Sequence, residues 1–219
     1  MSSASSQANR LRRVYWLGGA PCSGKSSIAS DLVKAYGLTP FSCDDAFYRH
    51  AKTVTAAEQP VFTRIIRYSP DELWMRPVEQ QTTEEIEVYR EEFPLIVADL
   101  LALKGNGPIL AEGAALLPEL VMPLLKDPRQ AIWVVPTSKF HHTYYRQRAW
   151  ARDVVSPCAD PEQAFQNWME RDICFARYVC QSADTLGGRV LMVDGAQTIA
   201  ENTALVVNYF NLKEDVLKG

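Results

Sequence analysis

Gly19-Ala20-Pro21-Cys22-Ser23-Gly24-Lys25-Ser26 is the stretch in which residue type and spacing speak most directly of chemistry. It fits G-x-x-x-x-G-K-[ST] in full, between an apolar run and a helix-like segment, which is the context that pattern needs. Gly19 and Gly24 allow backbone angles that turn successive N–H groups inward around a phosphate, and a helix starting at Lys25 adds its positive end. The Lys25 ammonium would reach the outer phosphates of a nucleotide, and the Ser26 hydroxyl would ligate Mg²⁺. Residues 19–27, Ser27 included, are therefore the candidate nucleotide-binding loop, with ATP and Mg²⁺ the implied ligands.

Carboxylates come next, because phosphorylating a hydroxyl needs a group that orients it and accepts its proton. Ligands of open α/β sheets gather at the carboxyl ends of strands, so an acidic residue there carries weight. Asp44-Asp45 follows the second strand-like run, Glu112-Gly113 the third, and Asp194-Gly195 the last. Each also has a structural reading: a helix cap at Asp44 or Asp45, an isolated carboxylate at Glu112, a turn at Asp194-Gly195.

The segment Gly18-Gly19-Ala20-Pro21-Cys22-Ser23-Gly24-Lys25-Ser26-Ser27 resembles the phosphate loop of P-loop small-molecule kinases, a group that includes nucleoside, shikimate, gluconate and antibiotic-modifying enzymes. Asp45-Ala46-Phe47-Tyr48 is similar to the Asp-x-Phe-Tyr segment of uridine-kinase-like members, and Glu112-Gly113 looks like their Glu-Gly. The resemblance implies a three-layer α/β fold of the P-loop NTPase type, a five-stranded parallel sheet in order 2-3-1-4-5, and an arginine-bearing helical lid. It implies Asp45 as the base with Asp44 in reserve, Glu112 on Mg²⁺ or the acceptor, and adenine near Asp194-Gly195. The implied activity is transfer of the γ-phosphate of ATP to a hydroxyl of a small, nucleoside-like molecule. A nucleotide or polynucleotide kinase, and a nucleotide-binding regulatory module without transfer chemistry, are the alternatives.

Such enzymes bring arginines onto the moving phosphate. Arg148 and Arg152 are four residues apart and would share a face of one helix, so these two are the candidates for phosphate contact; a solvated basic face is the plainer reading. Tyr48, Phe62, Arg64, Arg67, Tyr68 and Trp74 combine flat apolar surface with charge, which suits a ring-bearing acceptor; Tyr48 and Arg67 are taken as its candidate contacts.

Strand and helix signals alternate along the chain in the manner of an α/β sheet covered by helices. Strands are expected at 14–18, to about 42, at 109–111, 131–135 and 189–193, and helices at 25–36, 83–103, 138–152, from Asp160, and 198–210. Residues 1–10 read as a loose polar tail and 11–219 as one domain, with a substrate-side insertion over about 50–81 and a lid over about 138–160. The net charge of −3 argues against a nucleic-acid partner, and no apolar run is long enough for a membrane span, so a cytoplasmic enzyme acting on a small-molecule acceptor is expected. The five cysteines show no zinc-like spacing and are expected reduced.

Overall fold

The computed structural model describes residues 10–212. The expected tail lies, apart from Arg10, outside the described residues; Arg10 itself donates to the Leu101 carbonyl oxygen at 2.6 Å. Strands β1 (Val14–Gly19), β2 (Thr39–Ser42), β3 (Ile109–Glu112), β4 (Ala131–Pro136) and β5 (Arg189–Val193) form one sheet in the order β2-β3-β1-β4-β5. Every neighbouring pair is parallel. The chain is thus α/β with a five-stranded parallel sheet in the expected order.

Alternation along the strands sorts the core into two layers, because successive side chains leave a strand on opposite faces. Trp16, Ala111 and Trp133 face helices α5 (Val78–Ala102) and α9 (Pro161–Thr185), meeting Phe93, Ile96, Leu100, Phe175 and Val179. Leu17, Leu110, Ile132 and Val134 face the other way, onto Ile28 and Leu32 of α1 (Lys25–Tyr36) and Val206 and Phe210 of α10 (Ile199–Phe210). A third apolar cluster, with Trp74, Tyr145, Val155, Phe165 and Trp168, joins the helices that carry the remaining walls of the site.

Two expected helix bounds need correction. Helix α5 starts at Val78, five residues before the expected 83, and runs on through Pro94 for 25 residues. Proline inside a helix costs about 3 kcal/mol, but Phe93 and Ile96 flank it fully packed against the sheet, and burial of that face outweighs the lost hydrogen bond. The segment 50–81 contains two short helices, α3 (Pro60–Ile65) and α4 (Pro70–Trp74), the second opened by a Ser69–Glu72 capping box, as the run Ser69-Pro70-Asp71-Glu72 leads one to expect. After the short α6 (Pro118–Val121), the single helix expected over 138–152 is two, α7 (Ser138–Tyr145) and α8 (Ala149–Val155). Turn bonds from Gln147 N to Tyr144 O and Arg148 N to Tyr145 O close the break, which lets Tyr145 and Val155 enter the same apolar cluster.

Gly19 sits at the end of β1 with φ of 132°, and a Cβ there would overlap the Val134 carbonyl of the neighbouring strand. Gly19→Ala is expected to destabilise the protein by roughly 3 kcal/mol through strain plus displacement of β4, seen as a lowered midpoint in urea unfolding.

Among the described residues no helix is long and apolar enough to cross a membrane.

Candidate active site

The loop after β1 is held from the side and left open at its centre. Ala20 N donates to Val134 O at 3.2 Å, and Cys22 takes the left-handed conformation at φ 64°. Pro21 and Cys22 form a turn, and among the described residues the N–H groups of Cys22 and Gly24 find no acceptor within the protein. The Lys25 side chain is only 8% exposed and folds back so that Nζ donates to Ala20 O at 3.2 Å. Together with the start of α1, these groups form a concave set of donors around one ammonium, a shape suited to an anion.

Ser26 and Glu112 meet beside this loop, with Ser26 Oγ 3.4 Å from Glu112 Oε2. Sheet register sets Glu112 opposite both Leu17 of β1 and Ser42 of β2, so it lies where the sheet's carboxyl edge opens onto the loop. Burial pushes the Glu112 carboxyl above the usual carboxylate range, Lys25 opposes the shift, and Asp44 adds to it. A hydroxyl and a carboxylate this close to the phosphate-shaped loop form a hard oxygen pair of the sort Mg²⁺ takes.

Helix α2 (Cys43–His50) follows β2 directly and carries the two aspartates. Its cap is Ser42, whose Oγ accepts from Asp45 N at 3.1 Å, so neither aspartate is used as the cap. The helix approaches β3 closely because residue 113 is glycine, where a Cβ would overlap that of Cys43. Its far end is fixed by buried His50, bonded to Glu92 at 2.9 Å and Asp99 at 3.3 Å. Held this way, α2 turns Asp44 into the main cavity, with Phe47 and Tyr48, and leaves Asp45 outside its lining. Of the two aspartates, Asp44 lines the main cavity and Asp45 does not, while the charges of both act on Glu112.

That cavity, about 600 Å³, is bounded by the loop, by Asp44 and Tyr48, by Trp74 and Arg76, by Gln81, Glu85 and Tyr89 of α5, and by Trp168 and Arg171 of α9. A second cavity of about 400 Å³ opens on the opposite side of the same loop, between Phe140 and Tyr144 of α7 and residues 195–199 after β5. Arg148 lines both, its guanidinium 5.0 Å from the Tyr145 ring and 5.7 Å from that of Trp150.

No family model matches this chain, and no curated protein matches it in sequence.

The other sequence candidates separate cleanly. Arg148 caps α8 in an extended conformation, so it does not share a helix face with Arg152 as the spacing suggested. Arg152 bonds Glu162 at 2.6 Å and lies over Phe165, away from both cavities. Arg67 is exposed and lines neither cavity, while Arg64 is tied to Tyr68 and Glu84. Tyr48 does reach the main cavity, though 71% exposed. The cavity beside Gly195 lies where the last strand's loop was expected to matter, formed by that glycine and the residues after it.

The charged wall opposite the loop was legible only in part: Arg171-Asp172 reads from the sequence as a local ion pair, as the structure shows, whereas the partners Glu85 and His141 do not. Arg171 contacts Glu85 at 3.3 Å and Asp172 at 2.6 Å, and Asp172 is bonded in turn to buried His141 of α7 at 3.2 Å. Burial lifts the Glu85 carboxyl to about 7 against the pull of Arg171. A signal was present: Gln81, Glu85, Tyr89 and Glu92 recur at helical spacing beside the apolar stripe of α5.

Proposed function

We propose that this protein is an ATP-dependent P-loop kinase that transfers the γ-phosphate to a hydroxyl of a small molecule. The observation that carries this reading is the division of space by the loop: a donor-lined turn with Lys25 at its centre separates two cavities, and Arg148 borders both. Such a layout suits a nucleotide on one side, an acceptor on the other, and the moving phosphate between them.

On this reading the smaller cavity takes the nucleoside end of ATP between the α7 aromatics and residues 195–199, and the unpartnered loop N–H groups bind the polyphosphate. Lys25 and Arg148 neutralise charge on the transferred group. Asp44, facing the acceptor side, accepts the hydroxyl proton as the acceptor oxygen bonds to the γ-phosphorus and the bond to the departing ADP oxygen breaks. Ser26 and Glu112 are the residues that would hold Mg²⁺, which would offset phosphate charge. The nucleotide-kinase alternative draws no support from Arg64 and Arg67, the first being ion-paired and the second outside the cavity.

Calorimetric titration with MgATP and MgADP tests the reading. Saturable binding of both is expected, with ADP release from ATP rising when a correct acceptor is added. Absence of any purine nucleotide binding by folded protein would overturn it.

A further inference from the structure

We propose that Arg171, held by Glu85 and Asp172 and backed by Trp74, is the residue that reads the acceptor, and that it selects an uncharged heterocyclic alcohol and rejects anionic ones. The proposal rests on the kinase reading for the identity of the cavity and adds the class of molecule that fills it.

The guanidinium is unusually well fixed. Its Nε and Nη2 donate to Asp172 Oδ1 at 3.1 and 2.6 Å, Nε lies 3.3 Å from Glu85 Oε2, and its Cζ sits 5.0 Å from the Trp74 ring centroid. Trp74 packs in turn on Trp168, with ring centroids 4.7 Å apart. Glu85 is itself steadied by Tyr89, whose hydroxyl donates to Oε1 at 3.1 Å. The remaining nitrogen, Nη1, has no protein partner among the described residues, and Arg171 lines the cavity. A rigid guanidinium with one unspent donor edge, flanked by tryptophan and tyrosine surfaces, suits a flat ring bearing a carbonyl oxygen or ring nitrogen.

Charge decides between a neutral and an anionic ring. Arg171 is balanced by Glu85 and Asp172, and Arg76, the other cation of this wall, is tied to Glu84. Asp44 adds a further negative group on the acceptor side. Lys25 and Arg148 lie at the loop and serve the polyphosphate in the reading above. An anionic substituent on the ring would thus enter a wall whose cations are already compensated, Arg171 by Asp172 and Arg76 by Glu84, and a buried charge without a partner is costly. A neutral acceptor gains the Nη1 hydrogen bond without that penalty, and sites built around such a bond discriminate strongly.

The test follows tryptophan fluorescence of the full chain saturated with MgADP, since Trp74 and Trp168 form the cavity wall. Titrants are the four common ribonucleosides and hydroxymethylpyridines, each series matched with ring-carboxylated counterparts such as orotidine for uridine. At least one uncharged compound is expected to give a saturable change, with its carboxylated counterpart about 100-fold weaker. In Arg171→Lys, which keeps the charge and loses the fork, affinity for the uncharged compound should fall about 10-fold or more while MgADP affinity stays within about twofold. Equal or tighter binding of the carboxylated member overturns the proposal in the unaltered protein, whether or not the variant folds. So does the lack of any saturable change with the uncharged series while MgADP binds; failure of MgADP to bind is instead the failure of the kinase reading.

Discussion

Lys25→Ala should reduce ATP-dependent phosphate transfer by roughly 10³-fold, the scale seen when a preorganised charge is taken from a transition state. The lysine is buried at the centre of the loop, and among the described residues its one protein hydrogen bond is to the Ala20 carbonyl. A bond of that kind contributes only about 1 kcal/mol to folding, which in a chain of this size corresponds to a change in melting temperature of about 2–4 °C. Activity and stability are therefore expected to part: the variant folds, and its ADP release falls almost to background. Coupled-assay rates and a thermal melt on the same preparation measure both. Turnover within tenfold of the unaltered protein would mean that the phosphates do not lie at this loop.

Much of the sheet could be read from the chain because it depends on local alternation. Trp16 and Leu17 are neighbours on β1, and each belongs to a different layer of the core, as a period of two dictates. The loop was legible for a related reason: its glycines, lysine and serine must be contiguous to form one turn. Element ends were less accessible. Helix α5 starts at Val78, ahead of the expected 83, where polar Gln81, Thr82 and Glu84 are buried against the rest of the protein, and the break between α7 and α8 exists because Tyr145 and Val155 share a cluster with Trp168. Neither cause is visible within a few residues of the position it controls.

The same distinction runs through the site. Spacing placed Arg148 and Arg152 together on an unbroken helix; once the helix is interrupted, Arg148 borders both cavities and Arg152 pairs with Glu162. Glu85 and Arg171 lie on different helices and meet only because α5 and α9 pack side by side on the sheet. Sequence pattern marks Glu85 as a polar residue near an apolar stripe, but its partner is fixed by tertiary packing. Residues whose role depends on one turn of backbone were thus open to reading, whereas those defined by the meeting of distant helices were not.

Asp44 and Asp45 make the sharpest case, and their difference can be measured. Consecutive residues on a helix point about 100° apart, and only Asp44 of the two lines the main cavity. Which one is set by how α2 enters, through the Ser42 cap, the close contact of Cys43 with Gly113, and the anchoring of His50 by Glu92 and Asp99. The outcome turns Asp44 toward the cavity. Asp44→Asn keeps the size of the side chain and removes its capacity to take a proton, so kcat should fall by about 10²–10⁴. KM for ATP should change little, since the loss concerns a contact made as the hydroxyl reacts. Asp45→Asn, at a side chain that does not line the main cavity, should leave kcat within about threefold, in line with the small effects of most surface changes. Steady-state kinetics of the two variants, with ATP and the acceptor varied in turn, separates them. A larger loss in Asp45→Asn would place the base on the other face of α2 and require the helix to rotate when substrates bind. A loss confined to acceptor KM in Asp44→Asn would make that carboxylate a binding group, leaving Glu112 as the remaining carboxylate beside the loop able to take the proton.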